Sequence, residues 1–355
     1  MLFGFEGAIL QDGSGGDGEV ETPDTYRTQK LSTSSAKIVG PAPAKIACRR
    51  VHFFFCLFND SRLFFCYTVK ADRMVFMYIS TIHSLESLEK LKEAGIDAVI
   101  IGVPYYSIRH CIEVDKTNLQ VWKDKCKELN IKLYVNFLRM CSENEMEKAK
   151  EWMQIFKDIN MDGIYYADEG ILYIAQEMNI QNKLIYQPET LVTSSMDVNF
   201  YLEQGIQAVS LAHEMSLDEI MMIAQAADHL EVLVNGYFSI MYSRRPLISN
   251  YLDAINSNAI KENKRYDLIE KTRDERMPIY EDHAGTHIFS ANPISSFEQM
   301  DSLKEAGIKR FRIDSIFFDD GYTIQVLNAY KTKTNLNIGC DRWYHETTIK
   351  KKEGQ

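Results

Sequence analysis

Carboxylates, amides and histidines follow several short apolar segments of the chain, in a pattern that suits acid–base or metal chemistry. The set comprises Asn136, Arg139, Asp168, Glu169, Gln187, Glu189, His213, Glu214, Asn235, Gly236 and Asp314. Carboxylates beside a histidine can move protons or bind a divalent cation such as Zn²⁺. A helix cap or a loop hydrogen bond is the simpler role for any single member. If these residues gather at one surface, they predict a functional site there.

No common hydrolase or nucleotide-binding motif accompanies these residues. His213-Glu214 and His345-Glu346 both lack the second histidine of HExxH, and GxSxG is absent. Residues 13–18 have GxGxxG spacing, but Pro23 and the polar residues around it do not predict the helix that such a loop requires. The seven cysteines form no CxxC pair, which is typical of reduced thiols rather than of a disulfide framework or a zinc site.

The composition indicates a globular, acidic protein. Among 355 residues, 45% are hydrophobic and 25% charged, and the net charge is −10. This charge argues against general nucleic-acid binding, although a local basic patch is compatible with it. The apolar run at 51–69 is interrupted at 59–62, and no run reaches the roughly 20 residues of a membrane span. Without a signal-peptide pattern after Met1, the sequence predicts a cytoplasmic protein with no membrane partner.

The elements that position the polar residues repeat a helix–glycine–strand joint. Residues 84–94 predict an amphipathic helix that Gly95 ends, and residues 96–102 predict a buried strand. The same joint recurs at 202–211 and at 296–314. Alternating helices and strands favour a parallel sheet with helices outside it.

The same alternation along the rest of the chain predicts eight strands, at 77–80, 96–102, 132–138, 163–168, 183–187, 206–211, 231–235 and 309–314. Eight units favour closure into a TIM-like (β/α)8 barrel of the α/β class, and an open doubly wound sheet is the alternative. Residues 237–295 form an insertion after the seventh strand, in which 277–280 and 286–290 predict a hairpin. In such a barrel the polar strand ends share one mouth.

Three regions follow along the chain. Residues 1–76 are predicted to be a disordered or mistranslated N-terminal extension, because Gly, Ser, Thr, Pro and Asp dominate 11–47 without any structural period. Residues 77–330 form the barrel with its insertion at 237–295, and 331–355 form a C-terminal tail.

Three motifs of the barrel resemble those of the collagenase-like peptidases, peptidase family U32. The family signature around the seventh strand is matched in register at Glu231, Val234, Gly236, Tyr242, Ser243, Arg245 and Ser249. Residues 213–220 and 281–288 resemble two further family stretches and occur in the family's order. The resemblance covers roughly 77–330.

The resemblance implies a peptidase that acts at the C-terminal face of the barrel. Together with the strand ends, it predicts the catalytic residues Glu214, Arg245, Ser243 and Asp168. The predicted substrate-binding residues are Asn136, Gln187, His213, Asn235, Gly236, Tyr242, Ser249, Glu281 and Asp282. Arg245 is central because a guanidinium grips a carboxylate or a phosphate with two parallel hydrogen bonds. The alternative for Arg245 is an internal pair with Glu214 or Glu231.

The chain departs from the family at its cysteines. Ser239, Pro246 and Ser295 stand where the family has cysteines, and 256–265 contain none. Several family members hold an iron–sulfur cluster there, which requires thiolates, so the sequence predicts no cluster in this chain. No metal site is predicted, although a divalent metal is compatible with His213, Glu214, Glu281, Asp282 and His283 if they converge.

The family resemblance also implies a rival activity, because other members hydroxylate bases in ribosomal or transfer RNA. A flipped base and its phosphates would suit the aromatic and basic residues Tyr237, Phe238, Tyr242, Arg244, Arg245, Lys261, Lys264 and Arg265. A third interpretation is a non-catalytic binding barrel. The predicted partner is therefore a peptide or an RNA, and the oligomeric state stays open.

Overall fold

The computed structural model describes residues 75–255, 266–269 and 275–345, and the backbone of 56–58 and 61–63. The chain divides into two compact units, 1–73 and 74–355. In the first, β1 (Cys56–Phe58) and β2 (Ser61–Leu63) pair antiparallel. The rest of the predicted N-terminal extension lies outside the described residues, so its disorder or mistranslation stays a prediction.

Eight parallel strands of the second unit close into a barrel. They are β3 (Met77–Thr81), β4 (Ala98–Gly102), β5 (Lys132–Phe137), β6 (Gly163–Tyr166), β7 (Leu184–Tyr186), β8 (Ala208–Ser210), β9 (Leu230–Gly236) and β15 (Arg310–Asp314). Each strand pairs in parallel with the next, and β15 joins β9 to β3. The predicted TIM-like barrel is confirmed, and the open sheet is excluded because the ring closes.

Helices follow most strands and cover the outside of the barrel. They are α1 (Leu88–Ala94), α2 (Leu119–Glu128), α3 (Met146–Asp158), α4 (Glu169–Glu177), α5 (Ser195–Glu203), α6 (Leu217–Ala226), α8 (Met300–Glu305), α9 (Asp320–Thr332) and the short α10 (Arg342–His345). Gly95 ends α1 in the left-handed region at φ 98°, as its sequence position predicts. Among the helices described, none is long and apolar enough to cross a bilayer.

The segment after β9 forms a four-stranded antiparallel sheet. Its strands are β10 (Ser239–Ser243), β11 (Tyr266–Ile269), β12 (Arg276–Asp282) and β13 (Gly285–Phe289), in the order β10-β13-β12-β11, and α7 (Leu247–Ala254) follows β10. The hairpin of β12 and β13 confirms the predicted one and extends it toward its turn. The chain then returns to the barrel through β14 (Ile294–Ser295), which pairs antiparallel with β9.

Residues assigned to the C-terminal tail contact the barrel. Tyr344 is buried, and its hydroxyl lies 2.7 Å from the Ser296 hydroxyl. The backbone of Cys340 bridges to Ile294 of β14. Residues up to His345 therefore pack as part of the barrel unit, while 346–355 lie outside the described residues.

Side chains of the strands alternate between an outer core under the helices and an inner core within the barrel. On β4, Val99 and Ile101 join the outer core, whereas Ala98 and Ile100 join Tyr165 in the inner one. The inner core also holds buried charged side chains from β9 and β15. Burying charges there requires that they pair with one another, and this pairing builds the site.

Candidate functional site

A chain of ion pairs begins inside the barrel, near the starts of β9 and β15. The Glu231 carboxylate on β9 accepts hydrogen bonds at Oε2 from Arg310 Nη2 at 3.0 Å and from the Tyr165 hydroxyl at 2.9 Å. Its other oxygen lies 3.4 Å from Arg312 Nε. Glu231 is fully buried, and removing either arginine would leave an uncompensated buried charge. Glu231 therefore fixes the two arginines of β15.

Arg312 carries this chain of charges to the mouth of the barrel. Its Nη2 lies 2.7 Å from His213 Nε2, and its Nη1 lies 3.5 Å from Asp314 Oδ2. A guanidinium only donates hydrogen bonds, so His213 Nε2 accepts and the proton of the neutral ring lies on Nδ1. Burial lowers the pKa of His213 to about 3, which keeps the imidazole neutral near pH 7.

Glu189 links His213 to a second buried arginine. Arg109 Nη2 lies 2.5 Å from Glu189 Oε1, Gln187 Nε2 donates to the same oxygen at 3.0 Å, and His213 Nδ1 lies 3.3 Å from Oε2. Burial alone would raise the pKa of Glu189, but Arg109, His213 and Arg312 together hold it below its usual value. Glu189 is therefore a carboxylate, charged to match the arginines.

Two loop residues of this array have a costly backbone conformation. Glu189 lies at φ 69° and Arg109 at φ 52°, in the left-handed region that non-glycine residues seldom adopt. Such strain persists where the surrounding contacts over-determine it, and it concentrates at functional sites. The ion pair between these residues is one such contact.

Asp314 ends β15 and titrates near neutrality. Burial raises its pKa to about 6, although Arg312 and the Ile316 N–H, which donates to Oδ1 at 3.1 Å, oppose the shift. A group whose pKa lies near the working pH can both accept and release a proton. Asp314 is therefore the acid–base candidate of the mouth.

Most of these side chains line an open pocket at the C-terminal mouth of the barrel. The lining residues are Thr81, Ile100, Arg109, Asn136, Leu138, Tyr165, Gln187, Glu189, His213, Tyr237, Phe238, Ser239, Phe289, Arg312 and Asp314. Nine of the lining residues are polar or charged and six are apolar or aromatic, and polar groups that converge beside apolar walls are typical of small-ligand sites.

Three predicted binding residues, Asn136, Gln187 and His213, line this pocket. Gln187 and His213 belong to the charged array described above. The Asn136 amide is held by the loop after β4, because its Nδ2 donates to the Ile108 carbonyl at 2.7 Å. Their placement agrees with a binding role, which stays a prediction.

Two predicted carboxylates cap helices instead. Asp168 accepts the Gly170 N–H at 2.8 Å at the start of α4. Glu281 accepts the backbone N–H groups of Ile248 at 2.8 Å and of Ser249 at 3.1 Å, and the Ser249 hydroxyl donates to its other oxygen. The first turn of α7 thus uses the Glu281 carboxylate to satisfy its free N–H groups. In the structure, Asp168, Glu281 and Ser249 stabilise helices.

Asn235 turns away from the mouth. The register between β9 and β15 shifts by one residue. Asn235 therefore lies opposite Ile313, whose side chain belongs to the outer core. Its Oδ1 accepts a hydrogen bond from Tyr330 of α9. Gly236 is required next to it, because φ is 119° and a Cβ would lie 2.0 Å from the Asp314 carbonyl oxygen.

Three other predicted residues brace the small sheet. The Tyr242 hydroxyl donates to the Ala284 carbonyl at 2.9 Å, and Asp282 Oδ1 accepts the Ala284 N–H at 2.8 Å. Ser243 Oγ accepts the Arg245 N–H at 3.3 Å. These contacts hold the turn between β12 and β13 and the loop after β10.

The Arg245 side chain is exposed in that loop. The internal pair with Glu231 that the sequence left open does not form, because Glu231 pairs with Arg310 and Arg312. Glu214 is half-buried beside His213, and burial raises its pKa. The predicted basic residues Lys261, Lys264 and Arg265 lie outside the described residues.

Sequence reasoning missed Arg109 and Arg312. Arg312 lies two residues before Asp314 in the last strand, so the period of two would have placed both side chains inside the barrel. Arg109 lies in the irregular loop after β4, where no periodic signal exists.

The side chains at the family's cysteine positions do not fit an iron–sulfur cluster. Ser239 is buried in β10, where its hydroxyl is directed to the Met241 carbonyl at 3.5 Å, and Pro246 precedes α7. Neither residue offers a thiolate. Within the described ranges, no three His, Cys, Asp or Glu side chains group as metal ligands.

The chain matches the model of peptidase family U32 over residues 83–350. It is 27% identical to tRNA hydroxylation protein P2 of Bacillus subtilis over 253 residues, which are 70% of this chain and 82% of that protein. It is 25% identical to tRNA hydroxylation protein P1 of the same organism, over 69% of this chain and 60% of that protein. The solved U32 peptidase Mk0906 is 12% identical with a TM-score of 0.42, over 68% of this chain and 92% of that one.

Proposed function

The chain belongs to peptidase family U32, and from this premise we propose that it acts on RNA in a base-hydroxylation reaction, with the target nucleotide bound at the C-terminal mouth of the barrel. In this reaction a base C–H becomes C–OH, and an oxygen-donating co-reactant supplies the oxygen atom and accepts the two electrons. Relatives named for tRNA hydroxylation support RNA as the substrate class over a peptide. The chain spans 82% of one such relative and 60% of the other, so the activity is proposed for this chain from its own site.

The observation that carries the proposal is the pair of buried arginines beside aromatic walls. Arg109 and Arg312 present planar guanidinium groups to the pocket, and such groups bind phosphate or base oxygens through paired N–H donors. Tyr237 and Phe238 line the same pocket, and enzymes that modify bases hold a flipped base against aromatic side chains. This combination fits a nucleotide, which has both a flat ring and an anionic group.

In this proposal Asp314 handles the proton and His213 is a positioning residue. With a pKa of about 6, Asp314 can hydrogen-bond the edge of a base in either protonation state and move one proton. His213 stays neutral, and its Nε2 accepts from Arg312, which orients the guanidinium next to Asp314. His213 therefore acts through Arg312.

Hydrolysis of a peptide is less well supported by the same structure. Ser243 contacts the backbone of its own loop, and the hydroxyl–imidazole contact at the mouth is that of Ser315 Oγ with His83 Nε2, at 3.1 Å. Ser315 is fully buried and also bonds Thr81 Oγ1 at 2.9 Å. A nucleophile must reach its substrate, so this contact is better explained as packing.

Production of the chain in a Bacillus subtilis strain that lacks tRNA hydroxylation protein P2 tests the proposal. Mass spectrometry of the tRNA nucleosides should show recovery of a nucleoside that is heavier than its unmodified form by one oxygen atom. The variant Arg312→Lys should not restore it, whereas Arg276→Ala, at an exposed arginine of the small sheet, should. A soluble wild-type chain that restores nothing, but cleaves peptides in a manner dependent on Ser243, would favour a peptidase instead.

A further inference from the structure

We propose that a second site for single-stranded RNA lies beside the mouth, where the exposed ring of His283, which is itself stacked on Tyr105, stacks with an unpaired base that flanks the target nucleotide. The inference rests on the proposed function of the mouth and adds a contact for the neighbouring nucleotide.

The two rings come from separate parts of the chain. Tyr105 lies in the loop after β4, and His283 lies in the turn between β12 and β13. Their ring centroids are 5.8 Å apart with planes inclined by 23°, and His283 Nε2 lies 3.3 Å from the Tyr105 carbonyl oxygen. Tyr105 is 41% exposed, and His283 is exposed as well. The His283 ring therefore faces solvent between the barrel and the small sheet, with the Tyr105 ring stacked behind it.

A buried ion pair holds the Tyr105 ring in place. The Arg139 guanidinium lies 3.6 Å from the ring centroid, and Arg139 Nη2 lies 3.0 Å from Glu145 Oε1. The Tyr105 hydroxyl donates to the same carboxylate oxygen. The residue lies at φ 72°, so its neighbours hold an exposed aromatic ring in an unfavourable backbone conformation. A ring that is already fixed loses little conformational entropy when a ligand stacks with it.

An exposed cation stands next to the rings. The Arg244 side chain is 45% exposed, and its Nη2 lies 3.5 Å from Glu145 Oε2, the carboxylate that also anchors Tyr105. Arg245, the next residue, is exposed too. Stacking rings beside arginine cations are the combination by which proteins hold single-stranded nucleic acid without reading its sequence. In a chain with a net charge of −10, such a local patch can still attract phosphates.

Two short stretches of chain join the patch of Tyr105, His283 and Arg244 to the mouth. Tyr105 shares a short loop with Arg109, whose guanidinium lines the pocket. Arg244 follows β10, whose first residue, Ser239, lines the pocket as well. A strand of RNA with one nucleotide in the pocket would therefore bring its neighbour to the Tyr105 and His283 rings.

Fluorescence anisotropy with a labelled short single-stranded RNA of mixed sequence tests this site. His283→Ala should weaken binding about 5- to 160-fold, the value of one base stacked on an aromatic ring. His283→Phe should retain the wild-type affinity because the ring remains. Tyr173→Ala is the matched control, since Tyr173 is 63% exposed on α4, and it should change nothing. The same RNA annealed to its complement should bind His283→Ala as tightly as it binds the wild type, because its bases are already stacked within the duplex.

Arg244→Ala gives a second, independent readout. It should weaken binding, and the slope of log affinity against log salt concentration should become shallower by the value of about one phosphate contact. Arg276→Ala should change neither. Wild-type affinity in His283→Ala, or equal weakness in His283→Ala and His283→Phe, would overturn the stacking site. The proposed function would survive that result if tRNA hydroxylation is still restored in the strain that lacks protein P2. A wild-type chain that binds no single-stranded RNA would overturn the stacking site and the RNA-directed function together.

Discussion

The wild-type protein should lose stability as the pH rises through the range in which Asp314 ionises, and the variant Asp314→Asn should not show this loss. The pKa of Asp314 is about 6 in the folded protein, against the ordinary value of 3.8, because the carboxyl is buried. The folded state therefore binds this proton more tightly than the unfolded state, so its relative stability falls as the pH rises from about 4 through about 6. A difference of about two pKa units corresponds to roughly 3 kcal/mol in the free energy of unfolding.

Urea denaturation of both proteins between about pH 4.5 and about pH 8 measures this contribution. The ionic contact of Asp314 with Arg312 forms only when the carboxyl is ionised, and its effect is already contained in the pKa of about 6. His213, whose pKa is lowered to about 3, has the opposite effect, because its contribution to the free energy of unfolding falls as the pH drops below 6.5. This contribution is the same in both proteins and cancels in their comparison. The stability of the variant relative to wild type should therefore rise by about 2 kcal/mol between about pH 4.5 and about pH 8, the part of the roughly 3 kcal/mol that falls in this range. A difference that does not change with pH would refute the raised pKa and the acid–base role built on it.

Three further outcomes are expected. A chain that begins at Met77 should stay soluble and unfold cooperatively, because the barrel strands start there; aggregation or a far lower melting temperature of this shorter chain would show that the extension contributes to the fold. The protein purified without oxygen should be colourless and free of stoichiometric iron, whereas a brown protein with cluster absorbance would contradict the interpretation of Ser239 and Pro246. Arg245→Lys should weaken RNA binding roughly 5- to 10-fold at an unchanged melting temperature, since the side chain is exposed and only a bidentate contact would be lost; unchanged RNA binding and melting would remove Arg245 from the site.

The barrel was predictable because its signals are local and repeated. Gly95 and Gly307 end helices in the left-handed region at φ 98° and 93°, and each precedes a strand of buried residues. Such joints mark where a helix stops and a strand begins, so all eight strands fall within about two residues of their predicted bounds. Eight alternating units leave few ways to cover both faces of a parallel sheet except closure.

The mouth was predictable only in part, because the strand-end rule depends on register. It places Gln187, His213 and Asp314 at the pocket, and it fails for Asn235 because the slip between β9 and β15 rotates this residue into the outer core. Arg109 reaches the pocket from an irregular loop, and no sequence period marks it.

Residues singled out for their chemical type carried a different ambiguity. Asp168 and Glu281 are carboxylates near strand ends, yet both satisfy backbone N–H groups at the start of a helix. A cap and a catalytic acid need the same residue type, and only the positions of their partners distinguish them. The ion pairs of Glu231 with Arg310 and Arg312 likewise join residues about 80 positions apart, a separation that one sequence does not reveal.

The central claim is that an RNA nucleotide binds at the C-terminal mouth of the barrel. Photocrosslinking tests it most directly, with tRNA that carries 4-thiouridine, the purified chain and mass spectrometric mapping of the linked peptides. We predict crosslinks in peptides that contain Gln187, Tyr237 and Phe238 or Asp314, and their loss when unlabelled tRNA is added in excess. Crosslinks confined to the outer helices, such as the peptide that holds Tyr173 of α4, or none at all, would contradict it.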